Sequence, residues 1–323
     1  MEKKIVLLSL APERVLPEMK SLLEAAGGGR EILFSSDPEE IEKYLDRIEI
    51  GMGDIPFLLI PRMPNFKWWQ LWSAGADVLQ KFPELKDLPF VLSTSSGIHG
   101  QQIAEHLFAM LLGWNRRLKE AFAAQERHKW LFVKDDKLSV LNGKTMLIMG
   151  YGNIGADIAR IAGSFGLNII GLRRNPQKAG GTEGLLVDDA VKLHSYLPEA
   201  DYVVNILPST PATLHCFGSA EFGKMKKSAL YISMGRGATT DEAALINALR
   251  GNNISGALLD VAETEPLPGD SPLWDMDNVL ITGHYAGCHP EYSRMAMTIA
   301  LENLGRFNRG EPLKNLVDKQ RGY

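Results

Sequence analysis

Residues 145–166 read TMLIMGYGNIGADIARIAGSFG, and the reading of this stretch decides the fold. TMLIM is an apolar run of strand length. It turns through Gly150-Tyr151-Gly152-Asn153-Ile154-Gly155 into a segment whose apolar residues recur at helical spacing. Gly-x-Gly-x-x-Gly between a strand and a helix suits a pyrophosphate. The first Gly permits the tight turn, the second lets the backbone approach the phosphates, and the third allows close helix–strand packing. The helix N-terminus attracts the anion. A dinucleotide is therefore expected against Tyr151, Gly152, Asn153 and Ile154. The competing readings are an incidental Gly-rich turn and a methyltransferase, which uses a similar turn.

The strand that follows, LNIIGL, ends in Leu172-Arg173-Arg174-Asn175. A site for NAD carries Asp or Glu near this point to bond the ribose 2′-OH. Here no carboxylate occurs until Glu183. Two guanidiniums suit a 2′-phosphate, so Arg173 and Arg174 point to NADP(H), with NAD(H) as the weaker alternative. A merely solvated pair is the plain reading. A methyltransferase would also want an acidic residue here.

Strand and helix patterns continue outward in both directions. Downstream strands are expected at ADYVVNIL, SALYISM, ISGALLDV and NVLITGH, which with TMLIMG and LNIIGL make the six that a doubly wound nucleotide-binding sheet needs. Upstream, IVLLSL, EILFS and FVLST read as strands. PERVLPEMKSLLEAAG reads as a helix stopped by Gly27-Gly28-Gly29, and DPEEIEKYLDRI as a helix opened by Asp37 and Pro38. FKWWQLWSAGADVL reads as a helical or turn segment. The final helix, EYSRMAMTIALENLGRFNRG, follows the second series and is expected to pack back on the first. The fold class is α/β, with two doubly wound parallel-sheet domains of Rossmann or flavodoxin-like type.

Composition agrees with an ordinary globular chain. The 323 residues are 45% hydrophobic and 23% charged, enough for two domains. The net charge of -4 argues against nucleic acid as a partner. Cys216 and Cys288 are the only cysteines, so a reducing, cytoplasmic setting is expected, with both thiols buried and inert. No Cys/His cluster has zinc-ligand spacing, and no metal is expected. The run at 5–10 is too short for a signal segment. The apolar stretch Ile103–Trp114 is too short and too polar for a membrane span, so no membrane partner is expected. That stretch reads as a helix buried in the core or at a subunit interface.

Ligands of such sheets bind at the carboxyl ends of the strands. SALYISM ends in Gly235-Arg236-Gly237, ISGALLDV leads to Glu263-Thr264-Glu265, and NVLITG ends in His284. Arg, Glu and His gathered there suit reduction of a 2-oxo acid. The Arg holds the carboxylate and polarises the carbonyl, and the Glu-supported His donates the proton. A lone His284 would more simply be structural; the arrangement carries the reading.

These residues sit in segments that resemble the D-isomer-specific 2-hydroxyacid dehydrogenases of the glyoxylate/hydroxypyruvate reductase and phosphoglycerate dehydrogenase-like kind. The similarity runs through WSAGAD (72–77), AEHLFAMLL (104–112), MGYGNIG (149–155), LPSTPAT (207–213), MGRGATTDEAAL (234–245), LDVAETEPLP (259–268) and ITGHYAG (281–287). It implies catalytic roles for Arg236, for Glu265 rather than Glu263, and for His284. It implies substrate-carboxylate binding by backbone N–H groups at Ala74, Gly75 and Ala76. It places Leu207, Pro208, Thr213, Met234, Gly235, Asp260, His284 and Gly287 along the cofactor. It implies a substrate-binding domain at 1–95 plus 288–323, a dinucleotide domain at 96–287, the active site in the cleft between them, and a homodimer formed through the helix near 104–117 and the segment after it. The chain has Gly283 where the family usually has Pro, and Arg173 where its NAD members have Asp. Corepressor-like dinucleotide-sensing modules share the resemblance and form the alternative to an enzyme.

Overall fold

The computed structural model describes residues 2–178 and 185–322. The chain divides into two compact units, Met1–Ile98 with His289–Tyr323, and His99–Cys288.

The first unit is built on a parallel sheet of β1 (Ile5–Ser9), β2 (Glu31–Phe34), β3 (Ile48–Gly53), β4 (Trp68–Gln70) and β5 (Val91–Ser93), in the order β2-β1-β3-β4-β5. Alternate residues of a strand face opposite sides. Val6 and Leu8 pack on one face with Ala296, Met297, Ala300 and Leu304 of the helix Tyr292–Arg309. Ile5 and Leu7 face the other side with Trp69, Leu71 and Leu92. Both faces are thus covered, and β1 reads as one unbroken apolar run. Gly310 ends the last helix at φ +69°, a left-handed cap suited to glycine.

Several sequence expectations need correction here. The segment 66–79 is not mainly helical. Trp68–Gln70 is a fully buried strand between β3 and β5, and only Val78–Lys81 is helical. A strand buried on both faces shows no alternation, so its aromatics resembled a helix stripe. The strand β3 was not anticipated, because Glu49, Gly51 and Gly53 interrupt its apolar run. Glu49 is buried there between Arg30 and Lys67, each 2.7 Å away. The first helix is Met19–Ala26, with only a 3-10 turn at Pro12–Arg14 before it; Pro17 lies between the two. The second shrinks to Pro38–Glu42, with the Asp37 side chain accepting from the Glu39 N–H at 3.0 Å.

The second unit holds seven parallel strands: β6 (Thr145–Met149), β7 (Asn168–Arg173), β8 (Leu185–Asp189), β9 (Tyr202–Asn205), β10 (Leu230–Ser233), β11 (Gly256–Leu259) and β12 (Val279–Ile281). Their order is β12-β11-β10-β9-β6-β7-β8. The strand beyond the expected six is β8, whose LLVDD ends in two carboxylates and alternates too briefly to signal itself. The order reverses beside β6, which is where open α/β sheets bind ligands. The helix Gly100–Asn115 packs on the helix Asn153–Ser164. Gly100 permits this, since a Cβ there would collide with the Asp157 carboxylate. Ile103, Ala104, Leu107, Phe108, Met110 and Leu111 are buried within the single chain, so this helix belongs to the core of its unit. No helix among the described residues is long and apolar enough to cross a membrane.

Candidate active site

The glycine turn follows β6 directly. Gly150 has φ +98°, and a Cβ on it would stand 3.0 Å from the Ile206 carbonyl oxygen. A Cβ on Gly155 would come within 3.3 Å of Ile206 and Tyr151, so this position sets how closely the helix approaches the sheet. Gly152 is different. A Cβ there would meet only the Gly150 carbonyl, at 3.9 Å, and otherwise open space. That space lies over the N-terminus of Asn153–Ser164, whose first amides have no partner inside the helix. A pyrophosphate fits this cradle. The Tyr151 side chain is buried in the core and its N–H donates to the Leu172 carbonyl at 2.8 Å, so of the expected cofactor contacts this residue offers neither.

Arg173 ends β7 half-buried, and Arg174 is exposed beside it. Asp189 is the register partner of Arg173 on β8. The carboxylates of β8 are otherwise engaged. Asp189 accepts from the Val191 N–H at 3.0 Å, and Asp188 from Tyr196 and Lys192. Hydrogen bonds from Tyr196, Lys192 and the Asp189 N–H hold the Asp188 carboxyl down at about 2. The donor set at the end of β7 therefore fits a dinucleotide with a phosphate on its ribose.

The loop after β9 is closed by Thr213, whose hydroxyl donates to the Pro208 carbonyl at 2.7 Å. Leu207 donates its N–H to the Asn205 side chain at 3.2 Å. Met234 donates to the Asn205 carbonyl at 3.0 Å. Gly235 lies so close that a Cβ would stand 2.6 Å from the Leu207 carbonyl oxygen. The ends of β9 and β10 are thereby pressed together.

Arg236 follows at once, its Nη1 donating to the Gly235 carbonyl at 2.9 Å. At Gly237 there is no room for a Cβ against the backbone of Ala262 and Glu263. The Arg236 segment is thus packed directly on the one that carries Glu265. Glu265 accepts the Ala262 N–H on one oxygen at 3.1 Å and the His284 Nδ1 on the other at 2.6 Å. With Nδ1 committed to the carboxylate, Nε2 is the nitrogen left for a substrate.

His284 is held in the left-handed region at φ +56°, and its N–H donates to the Asp260 carbonyl at 2.7 Å. The Asp260 carboxylate, 2% exposed, accepts from the Thr282 hydroxyl at 2.6 Å and from the N–H groups of Tyr285 and Ala286 at 3.2 and 3.1 Å. Asp260 therefore fixes the loop that carries His284. Its oxygens are taken up by that loop. Thr282 gives its proton to Asp260, so the His106 Nε2–H donates to Thr282 at 3.0 Å. Gly283, the departure from the family's usual Pro, has open space around its Cβ position. The four bonds from Asp260, not a Pro ring, fix the backbone here. Gly287 lies against His99, with its Cβ position 3.5 Å from the imidazole.

His99 had no signal in the sequence. It is 7% exposed, and burial together with the Arg236 guanidinium pushes its pKa down to about 4. A second imidazole–carboxylate pair, His215 with Glu263 at 2.6 Å, was likewise not foreseen. Of the two carboxylates in ETE, the one on His284 is Glu265.

In the first unit, Ala74, Gly75 and Ala76 form a turn at the carboxyl end of β4. The Ser73 hydroxyl donates to the Gly75 carbonyl at 2.7 Å, and the amides of the three residues have no acceptor among the described residues. Such a run of amides suits an anion. Burial pushes the Cys216 thiol up to about 12, which makes it a poor nucleophile. Cys288, expected to be buried, is exposed in the turn before His289. No metal-binding cluster occurs among the described residues.

Comparison with known proteins gives a consistent result. Residues 108–286 match the family described as D-isomer specific 2-hydroxyacid dehydrogenase, NAD binding domain. The chain is 34% identical to glyoxylate/hydroxypyruvate reductase B of Enterobacter sp. (strain 638), over 87% of this chain and 89% of that one. It is 35% identical to glyoxylate reductase of Korarchaeum cryptofilum, over 80% and 77% of the respective chains. The NADPH-dependent glyoxylate/hydroxypyruvate reductase of Sinorhizobium meliloti, solved with NADP and sulfate, superposes with a TM-score of 0.85 at 29% identity, covering 99% of this chain and 100% of that one. A D-isomer specific 2-hydroxyacid dehydrogenase from Xanthobacter autotrophicus Py2, solved with NADPH and MES, gives 0.85 at 30% identity and covers both chains fully.

Proposed function

The chain belongs to the D-isomer specific 2-hydroxyacid dehydrogenase family, and from that premise we propose that it reduces a small 2-oxo acid to the D-2-hydroxy acid with NADP(H), NAD(H) being the weaker cofactor. The observation that carries the reading is the His284–Glu265 bond of 2.6 Å, in a loop pinned by Asp260 beside the segment that bears Arg236. The names of the relatives, glyoxylate and hydroxypyruvate reductases, support this substrate class.

Bound cofactor supplies a hydride to the carbonyl carbon and is oxidised in doing so. The protein does the rest. Arg236 holds the substrate carboxylate and draws charge toward the carbonyl oxygen. The amides of Ala74, Gly75 and Ala76 bind carboxylate oxygens. His284 carries a proton on Nε2 and passes it to the carbonyl oxygen, so hydride and proton together convert the oxo group to a hydroxyl. Glu265 fixes the orientation of the ring by holding Nδ1, which leaves Nε2 to face the carbonyl oxygen. The amides of Asn153 and Ile154, with Gly152 allowing the close approach, and Arg173, Arg174, Leu207, Pro208, Thr213, Met234, Gly235 and Gly287 hold the cofactor. We assign Asp260 to positioning rather than to direct contact. The corepressor-like alternative has no observation in its favour.

A homodimer fits the surface that follows the core helix. Phe122, Trp130, Phe132 and Val140 are 62%, 98%, 82% and 65% exposed, a concentration of apolar side chains that monomers rarely leave in water. A cytoplasmic setting accords with two free thiols. The test is NADPH oxidation against glyoxylate and hydroxypyruvate. His284→Ala is expected to lower turnover by ~10²–10⁴ with NADPH binding retained; a fully active variant would refute the assigned acid.

A further inference from the structure

We propose that Thr239 is a positioning residue for Arg236: its hydroxyl, oriented by Asn205, fixes the backbone from which the guanidinium reaches the substrate. The inference rests on the proposed reading, because it takes Arg236 as the group that holds the 2-oxo acid.

Arg236 follows β10 and opens a 3-10 turn, Gly237–Thr239. The backbone on either side of its Cα is held. Its Nη1 donates to the Gly235 carbonyl at 2.9 Å. Its own carbonyl accepts twice from Thr239, from the N–H at 3.1 Å and from the hydroxyl at 2.6 Å. The N–H bond alone closes the turn. The hydroxyl bond is the shorter of the two, and Thr239 is fully buried, so water does not compete for it. Release of this carbonyl would let the Arg236 backbone turn, and a shift of ~1 Å in a group that positions substrate costs up to ~10²-fold in rate.

The Thr239 hydroxyl has one proton, and its surroundings decide where that proton goes. Asn205, at the end of β9, is also fully buried. Its Oδ1 accepts the Leu207 N–H at 3.2 Å, which settles the orientation of the amide. Its Nδ2 therefore faces the Thr239 and Tyr231 hydroxyls, at 2.8 Å each, and donates to both. Thr239 Oγ1 accepts from Asn205 and turns its proton to the Arg236 carbonyl. The Tyr231 hydroxyl bonds Thr240 at 2.6 Å. Two branches thus leave Asn205. One runs through Thr239 to Arg236, and the other through Tyr231 to Thr240. Only the first ends on the residue proposed to bind substrate. The Leu207 bond belongs to neither branch, so the loop assigned to the cofactor keeps its anchor when Thr239 is changed.

The test compares the two branches in the full-length protein. Thr239→Val removes one hydroxyl and Tyr231→Phe the other, each with little change of shape. The measurements are kcat/KM for glyoxylate and hydroxypyruvate with NADPH, the affinity of the NADPH complex for oxamate (an analogue that is not reduced), the affinity for NADPH, and the denaturant midpoint. Both variants are expected to unfold at lower denaturant. Thr239→Val should lower kcat/KM by ~10–100-fold and weaken oxamate by ~10-fold, with NADPH affinity within ~3-fold of native. Tyr231→Phe should stay within ~3-fold of native in all three kinetic and binding measurements. Thr239→Ser, which returns the hydroxyl, should regain native kcat/KM to within ~3-fold. Equal kinetic losses from the two branches, native kinetics in Thr239→Val, or a serine that does not rescue overturns the inference and leaves the reductase reading standing. Should Thr239→Val fail to fold, Thr239→Ala takes its place; if neither folds, the hydroxyl belongs to the core alone and the inference is overturned. If the native chain reduces no 2-oxo acid, the reductase reading fails and this inference fails with it.

Discussion

His284 adopts φ +56°, a conformation that costs a residue with a Cβ roughly 1–3 kcal/mol. The surrounding bonds overcome that cost, and the outcome is an imidazole with one nitrogen on Glu265 and the other turned out. In the proposed reading Arg173 and Arg174 hold a ribose phosphate through charge and paired donors. Replacing both with Ala should weaken NADPH by about 10–100-fold while changing NADH little; a fluorescence titration of both cofactors checks this, and an equal loss for the two would remove the phosphate from the account. His99 makes a prediction about pH. Its folded pKa of about 4 lies below its ordinary value of 6.5, so the folded protein resists taking up a proton that the unfolded chain accepts. Its contribution is fully present above pH 6.5 and is lost as pH falls toward 4. By pH 5 the loss should be about 2 kcal/mol. Denaturant unfolding at pH 7 and pH 5 should show a smaller difference for His99→Asn than for the native chain.

At the scale of elements, the loop from Thr282 to Ala286 depends on Asp260. Asp260→Ala removes the acceptor of three loop donors. It should lower kcat/KM by about 10–100-fold and shift the pH profile of the reaction, because the imidazole is no longer held on Glu265. Loss of stability with an unchanged pH profile would mean Asp260 is only a core residue. The glycine turn, the helix after it and the alternation of the second unit were legible in the sequence because each carries its own local signature. The His284–Glu265 pair was legible because strand ends collect side chains in this fold, and the family resemblance chose Glu265 over Glu263. The strands β3, β4 and β8 were not, since Glu49, the paired tryptophans and a carboxylate-ended LLVDD mask a period of two. His99 and the His215–Glu263 pair were also hidden, because their partners lie far along the chain and no spacing announces them.

At the scale of the molecule, the proposed homodimer would cover the exposed apolar side chains of 118–140. Trp130→Asp with Phe132→Asp should convert a dimer to a monomer in sedimentation velocity at micromolar protein; an unchanged dimer would place the interface elsewhere, and a monomeric native chain would remove it. Composition and charge set only the broad class, and the chemistry came from strand ends that the fold brings together. That chemistry has a direct test. NADPH deuterated at the transferable position of the nicotinamide is mixed with protein and a 2-oxo acid, and the product is analysed by mass spectrometry and chiral chromatography. One deuterium is expected on the carbinol carbon of the D-2-hydroxy acid, formed by the native chain and nearly abolished in His284→Ala. Product without the label, the L isomer, or an undiminished yield from the variant would contradict it.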